Sequence, residues 1–397
     1  MTSTEFLPYG RQSIDDEEIR AVVDVLRSER LTQGPLVEAF EAALARHCGA
    51  RHAVAVSSGT AALHLALLAC DLRAGDLVAT TPLTFVATAS CICHAGGAPR
   101  FVDVEPDTLN LDPSRLETLL ASEEGRRVRG VVPVHFAGCP ADMERIASLA
   151  RRRGLFVLED ASHALGDRWR DAGGELRRVG ACSHSDLATV SFHPVKHITT
   201  AEGGAVLTND ANLAERIRAL RSHGQLRDPA RLTRRDGAWS YEVHELGFNY
   251  RLTDLQCAIG LVQLGRLDEW LERRAHLVKR YRKALAGDPR IRWVTEPPGT
   301  QPAWHLFAVQ VPRRAEVFQK LTDAGIGVQV HYLPVHLQPY FRERLGTTVG
   351  DHPCAERYYE RALSLPLFPA MDDADVDRVV SALLRALSTG EGEGSPA

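Results

Sequence analysis

The sequence predicts an α/β protein with a large, mainly parallel sheet covered by helices, followed by a smaller α+β part. Three observations predict it. Short β-rich runs alternate with helical patterns from residue 52 to about 209, the rhythm of βαβ units. Those runs are nearly continuous in apolar residues, as strands covered on both faces must be. After about residue 254 the rhythm gives way to long helical stretches with isolated strands. A chain of 397 residues is also too long for one simple core.

The elements follow in order. Ser13 followed by Asp16 reads as a capping box, and Ile19, Val22, Val23 and Leu26 give a helical stripe behind it. A second helix is expected over about 35–47. "HAVAV" (52–56), "LVATT" (77–81), "RFVDV" (100–104), "RGVVPVH" (129–135) and "LFVLED" (155–160) read as strands. "TAALHLALLAC" (60–70) and the patterns near 86–95, 113–121 and 140–152 read as helices. "LATVSF" (187–192) and "GAVLTN" (204–209) suggest a hairpin. Beyond 254 come a long helical stretch to about 286, a strand candidate at 304–311, a helix at 313–324, "GVQVHY" (327–332) and a last helix at about 373–388. The expected division is a large part over 1–253 with an N-terminal arm at 1–34, a small part over 254–388, and a disordered Gly/Ser/Glu-rich tail at 389–397.

Composition excludes several classes. A net charge of −4 with both signs interspersed leaves no nucleic-acid or membrane footprint. No apolar run approaches the ~20 residues that span a bilayer. The opening "MTSTEFLPYGRQ" lacks the basic and apolar regions of a secretory signal, and a cytoplasmic location is expected. Cys91 and Cys93 form a C-x-C but no CxxC occurs, so free thiols are expected rather than a zinc site or a disulfide frame.

One residue choice stands out. Of 47 basic residues only Lys196, Lys279, Lys283 and Lys320 are lysine. Arginine keeps its proton in any protein setting, whereas a desolvated lysine can lose it and become a nucleophilic amine. Lys279, Lys283 and Lys320 lie in charged helical patterns where either cation serves. Lys196 lies in "SFHPVKHITTAEGGAV" (191–206), whose only other basic side chains are histidines.

Two further stretches bear on it. "AVSSGTAAL" (55–63) reads as strand, small-residue turn and helix start, which would present backbone N–H groups to an anion, with hydroxyls from Ser57, Ser58 and Thr60. An ordinary helix cap would look the same. "LFVLEDASHALG" (155–166) ends an apolar strand on two acids, at the edge where open α/β sheets bind ligands. A phosphate turn, a carboxylate at a strand end and a spared lysine together meet the needs of pyridoxal phosphate: a phosphate cradle, an acid on the ring nitrogen and an amine for its aldehyde.

"SSGTAALH" (57–64), "TPLTFVATA" (81–89), "VHFAGCPADM" (134–143), "EDASHALG" (159–166), "SFHPVKHITTAEGG" (191–204), "ELGFNYRLTDLQCAIGLVQL" (245–264) and "VHYLPVHLQPYF" (330–341) resemble the PLP-dependent nucleotide-sugar aminotransferases of fold type I. The resemblance covers residues 8–387. Within that family, "PYGRQSIDDEEI", "LTQGP", "FHPVKHITTAEGG" and "LSLPLFP" are most similar to members of pseudaminic acid synthesis that act on C4 of a UDP-linked sugar. The resemblance implies roles. Lys196 would carry the cofactor, Asp160 would face its ring nitrogen, and His163 would lie near the ring. Thr60, Ala61 and Ser191 would touch the phosphate, and Phe85 would stack on the ring. Asn249 would reach the phosphate of a neighbouring subunit, implying a homodimer with shared sites. Tyr9, Leu31, Thr32, Gln33, Gly34, His331, Tyr332, Leu333 and Pro334 would lie near the nucleotide sugar. Arg251 is a candidate cation for the donor carboxylate, although a structural ion pair would explain it equally.

The implied partners are glutamate and a UDP-keto-sugar, in a ping-pong exchange. The sugar position aminated, C4 or C3, stays open at this point. Two other readings share the fold. A PLP-dependent sugar dehydratase would have histidine in place of Lys196, and a non-catalytic regulator would have no need of a spared lysine. One stretch departs from the family pattern. "DRWRDAGGELRRVGACSHSD" (167–186) is long and charged, starts with Asp167 where a small residue is common, and reads as a surface elaboration.

Overall fold

The computed structural model describes residues 6–234 and 236–388. The tail expected at 389–397 lies outside the described residues. In chain order the elements are α1 (Asp16–Arg27), α2 (Pro35–Cys48), β1 (His52–Val56), α3 (Gly59–Ala69), β2 (Leu77–Thr80), α4 (Val86–His94), β3 (Ala98–Phe101), α5 (Pro113–Ala121), β4 (Val128–Val132), α6 (Met143–Arg151) and β5 (Phe156–Asp160). Then come β6 (Arg168–Arg170), β7 (Leu176–Arg178), β8 (Leu187–Ser191), β9 (Gly204–Thr208), α7 (Ala211–Arg221), β10 (Gln225–Leu226), β11 (Glu242–Val243), α8 (Asp254–Gly265) and α9 (Leu267–Leu285). The chain continues through β12 (Arg292–Trp293), β13 (Thr300–Gln301), β14 (Phe307–Gln310), α10 (Arg314–Asp323), α11 (Pro339–Leu345), α12 (Pro353–Arg361), β15 (Ala362–Leu365) and α13 (Asp373–Ser388).

A seven-stranded sheet in the order β1-β9-β8-β5-β4-β2-β3 forms the centre. β9 pairs antiparallel with both β1 and β8, and every other pairing is parallel. The expected hairpin is therefore present: Leu187 to Ser191 run against Thr208 to Gly204. Both faces of the sheet are covered, which explains the unbroken apolar strands. One face buries Ala55, Ala79, Val131, Val157 and Ala188 against Phe40 and Leu44 of α2. The other buries Val54, Val78, Val132, Leu158 and Val206 against α3, which is apolar all round for that reason. A second core starts at Leu277 of α9 and takes in β14, β15, α10 and α13, joined by Leu7 from the arm. No helix of the described residues is long and apolar enough to cross a membrane.

Several expectations shift. The capping box of α1 is built from Asp15 and Glu18, not from Ser13 and Asp16. Asp15 accepts from the Glu17 amide at 2.7 Å and Glu18 reaches back to the Asp15 amide at 2.9 Å. Glu18 also receives the Gln263 amide at 2.6 Å, so a bonded acid occupies the inward face. Ile19 and Leu26, expected to pack inward, are 54% and 58% exposed. β3 begins two residues before the expected strand. The 304–311 strand starts only at Phe307, because Trp304 takes φ +51° and breaks the extended run. "GVQVHY" forms one isolated bridge, Gln329 to Ser364, rather than a strand. The 167–186 stretch is a β6–β7 hairpin extended by β13. Its tip is exposed, as expected of a surface elaboration, but Asp167 and Trp169 at its base are buried.

At the start of β9, a Cβ added to Gly204 would come within 2.6 Å of the Ser58 backbone carbonyl. The atoms it would meet all belong to the Ser58–Gly59 peptide, so no flexible side chain can move aside. Gly204→Ala should therefore lose about 1–3 kcal/mol of stability through overpacking, read as a lower urea midpoint with an unchanged slope.

Candidate active site

Strand direction decides where side chains can gather. β1, β5 and β8 run the same way, so Val56, Asp160 and Ser191 end at one edge of the sheet, and β9 begins there at Gly204. A cavity of about 400 Å³ opens at this edge. It is the position at which open α/β sheets bind ligands.

The N-terminus of α3 forms one wall. Ser58 is extended and its Oγ accepts from the Ala61 amide at 3.0 Å, leaving the first-turn amides of α3 at the cavity. Gly59 lets this turn close on β8, since a Cβ there would sit 2.9 Å from the Ser191 Cβ. Ser58, Thr60 and Ser191 all line the cavity.

The two acids ending β5 point to opposite faces, as neighbours in a strand must. Glu159 turns away and meets His135 Nε2 at 3.0 Å and the Ser185 hydroxyl. Asp160 turns into the cavity, where its carboxylate accepts from Thr88 Oγ1 at 2.7 Å and from the Ser162 amide at 3.1 Å. Thr84 stands 2.8 Å from Thr88, completing a short hydroxyl chain behind the acid.

Lys196 lies on the turn joining β8 to β9. The turn is closed by the Lys196 amide on His193 O (2.9 Å), and by the Thr200 amide and Thr199 hydroxyl on Phe192 O (3.0 and 3.1 Å). Its amine faces the cavity, 3.4 Å from His305 Nε2. Burial pushes the amine down to about 8, against the opposing pull of the Asp160 carboxylate. Around it stand His163, His197, His305 and His331, all driven toward the neutral form first by burial and then by the nearby lysine or its neighbours. Tyr332 shares a 3.0 Å hydrogen bond with His163 Nε2, and burial raises its phenol.

Of the residues singled out in the sequence, Tyr9, Thr60, Phe85, Asp160, His163, Ser191, Lys196, His331 and Tyr332 line this cavity. Ala61 stands just behind it with its amide on Ser58. The others lie elsewhere in this chain. Thr32 bridges Thr253, and the Gly34 amide bonds Asp254 at 2.7 Å. Leu31 is exposed, and Leu333 and Pro334 lead into a short helical turn at Val335. Asn249 is exposed and pairs with Ser222. Arg251, the candidate for the donor carboxylate, bridges Val56 and lines a different cleft with Gln33, Arg218 and Arg227. It does so because the 249–253 segment runs along the outer side of edge strand β1. Sequence reasoning missed Thr84, Thr88 and His305. The threonines sat four apart within "TPLTFVATA", a helical spacing, and His305 was the one ionisable residue in an apolar strand candidate.

Pyridoxal phosphate fits these residues. The α3 turn offers amides and hydroxyls suited to a phosphate, Asp160 offers a buried carboxylate, and Lys196 offers an amine with a lowered pKa. The Nδ1 atom of His163, buried at the cavity wall, has no partner among the described residues.

A covered, mainly parallel sheet with this lysine turn at its carboxyl edge is the arrangement of a PLP-dependent enzyme of fold type I. The chain belongs to the DegT/DnrJ/EryC1/StrS aminotransferase family, whose pattern it matches over residues 12–384. It is 42% identical to the spore coat polysaccharide biosynthesis protein SpsC of Bacillus subtilis over 95% of this chain and 96% of that one. Its structure is similar to Helicobacter pylori PseC, an aminotransferase involved in the biosynthesis of pseudoaminic acid. The TM-score is 0.88 and the identity 29%, over 97% of this chain and 100% of PseC. The PLP form of Spr1654 from Streptococcus pneumoniae matches with a TM-score of 0.87 at 28% identity, over 97% of this chain and 99% of that one.

In the cofactor-free protein, competitive acetylation of Lys196 across a pH series, read by peptide mass spectrometry, should follow a titration centred near 8. A profile centred near the ordinary 10.5 would mean that the amine is not desolvated as described.

Proposed function

We propose that this chain is a PLP-dependent nucleotide-sugar aminotransferase. In this reading it moves an amino group from glutamate to C4 of a UDP-linked 4-keto-6-deoxy-N-acetylhexosamine. That is the reaction of UDP-4-amino-4,6-dideoxy-N-acetyl-β-L-altrosamine transaminase in pseudaminic acid biosynthesis. The observation that carries it is the buried amine of Lys196 in one cavity with the Asp160 carboxylate and the α3 turn. The likeness to PseC supports the sugar and the route, and the name of SpsC supports a role in making a glycan.

Pyridoxal phosphate, when bound, supplies an electron sink for the carbanion that forms on deprotonation. The residues do the rest. Ser58, Thr60 and Ser191 would hold the phosphate with the first-turn amides of α3, and Phe85 would cover the ring. Asp160, kept in place by Thr88, would keep a proton on the ring nitrogen. Lys196 Nζ, with its pKa brought toward the working pH, takes the α-proton of the donor in the first half-reaction. In the second half-reaction it gives a proton to C4 of the sugar. Tyr9, His331 and Tyr332 line the mouth where the sugar enters.

The homodimer belongs to this reading as well. Asn249 stands outside the cavity of its own chain, which suits a residue that serves the partner's cofactor phosphate. Leu31 to Gly34 would then face the partner's sugar nucleotide, and Arg251 the donor carboxylate in the partner's site. The reading also keeps the cofactor part at 1–253 and a smaller part at 254–388, with α8 anchoring the second to the first core, and a cytoplasmic location.

Lys196→Arg tests the assignment. Arginine keeps the charge and much of the bulk but cannot bond the cofactor's aldehyde, so the variant should fold, lose the visible absorbance of the bound cofactor and lose turnover. Retained turnover would remove Lys196 from the chemistry. A panel of UDP-linked 4-keto and 3-keto sugars with glutamate then decides the acceptor.

Shared sites make a second prediction. Lys196→Ala and Asn249→Asp should each be weak alone. Refolded together, about half the dimers should be mixed, each with one intact site, bringing activity to roughly a quarter of wild type for a two-fold dimer. If Asn249 serves only its own subunit, mixing restores nothing.

A further inference from the structure

The geometry points to His305 as a further catalytic residue: its Nε2 holds the Lys196 amine whenever that amine is released from the cofactor. Nε2 lies 3.4 Å from Lys196 Nζ, and the ring is buried. The ring's own backbone is fixed from several sides. The Asp167 carboxyl accepts from the Ala303 amide, and His197 Nε2 donates to Ala303 O at 3.2 Å. The buried guanidinium of Arg274 holds Trp304 O at 3.2 Å and His305 O at 3.5 Å. Gly138 lets its loop lie against this segment, since a Cβ there would sit 2.8 Å from the His305 amide. Asp167, the departure noted in the sequence, thereby becomes a positioning residue for His305.

Burial favours the neutral imidazole, whose Nε2 lone pair can accept an N–H from the ammonium form of Lys196. That tautomer leaves the proton on Nδ1, which is buried and without a partner among the described residues. A side chain kept for packing alone would be better apolar here, because an unpaired buried donor is costly. The arrangement is explained if the lone pair is needed at the lysine. During turnover the amine leaves the cofactor and must be kept aimed into the cavity rather than swinging toward Asp160. His305 gives it a fixed acceptor that adds no charge. The other titratable groups facing the amine are Asp160 on β5, His163 behind it, His197 on the lysine turn, and His331 and Tyr332 from the C-terminal part.

This inference rests on the reading of Lys196 as the reactive amine, and the test separates the two. Borohydride trapping of the loaded enzyme with peptide mass spectrometry shows whether the cofactor is on Lys196; its absence there defeats the functional reading. With the cofactor on Lys196, three proteins are compared: wild type, His305→Leu and His305→Gln. In the cofactor-free proteins, the acetylation profile of Lys196 should move to lower pH by about one unit in His305→Leu. A dry pocket without the acceptor disfavours the ammonium, by the size of one hydrogen bond to a charged group. His305→Gln, whose amide oxygen can accept, should stay within about a third of that shift of wild type. In the loaded enzyme, His305→Leu should lower kcat by roughly tenfold with KM for glutamate little changed. The isotope effect with α-deuterated glutamate should rise, and Gln should recover most of the rate. If His305→Leu does not fold, His305→Asn, whose shorter amide falls short of Nζ, takes its place. An unmoved acetylation profile and isotope effect, or equal losses in Leu and Gln, would overturn the assignment.

Discussion

The site turns on the cost of taking one primary amine out of water. A lysine ammonium is strongly hydrated, and a cavity wall of Tyr332, His163 and Phe85 offers little in exchange. Asp160 returns part of that cost, and the remainder appears as a lowered pKa. The rest of the site follows from this constraint. The surrounding histidines are kept uncharged, because a further cation would expel the proton altogether. The acid is held in place by a hydroxyl and an amide. Arginine, abundant everywhere else in the chain, could not take the position, since it would stay charged at any cost.

The sheet supplies the geometry that makes this cost bearable. Parallel strands deliver Asp160 and the α3 turn to one edge, but a parallel crossover would have carried Lys196 away to the next helix. The reversal at β9 returns the chain at once, so the lysine turn stays at the same edge. The turn is then tied to its own backbone through Phe192, Thr199 and Thr200. Alternation along β5 settles which of two adjacent acids serves the cavity, and Glu159 is left to bind His135 on the far side.

Much of this was legible in the sequence because it depends on local signals. Apolar runs marked the central strands, and small residues with hydroxyls marked the start of α3. A residue choice at odds with the chain's habit marked Lys196. What could not be read depends on contacts distant in sequence. Thr88 supports Asp160 only because α4, packed on α3, β2 and β3, brings its hydroxyl to the end of β5. His305 meets Lys196 only because Asp167, His197 and Arg274 bend the chain before β14. The α1 stripe misled because Glu18, an acid, is turned inward together with Val25, and is satisfied by Gln263 245 positions away. Leu31 to Gly34 and Asn249 came from resemblance alone and Arg251 from the need for a cation, and a single chain leaves all of them outside the cavity.

The place of β1 bears on how the molecule assembles. The lysine turn and β5 are neighbours in the chain and can meet after short loop closures. The phosphate cradle comes from the first β–α unit, and it is brought to them only when β1 pairs with β9, His52 opposite Thr208. Closing so long a loop is entropically slow, and contacts of high sequence separation form late. The topology therefore favours an order of folding in which β1, and with it the anion site, docks after the lysine turn. A chain stalled short of that last pairing would carry a compact sheet and a buried lysine yet have no grip on its cofactor. On that order, cofactor retention would report the docking of β1 rather than the formation of the core.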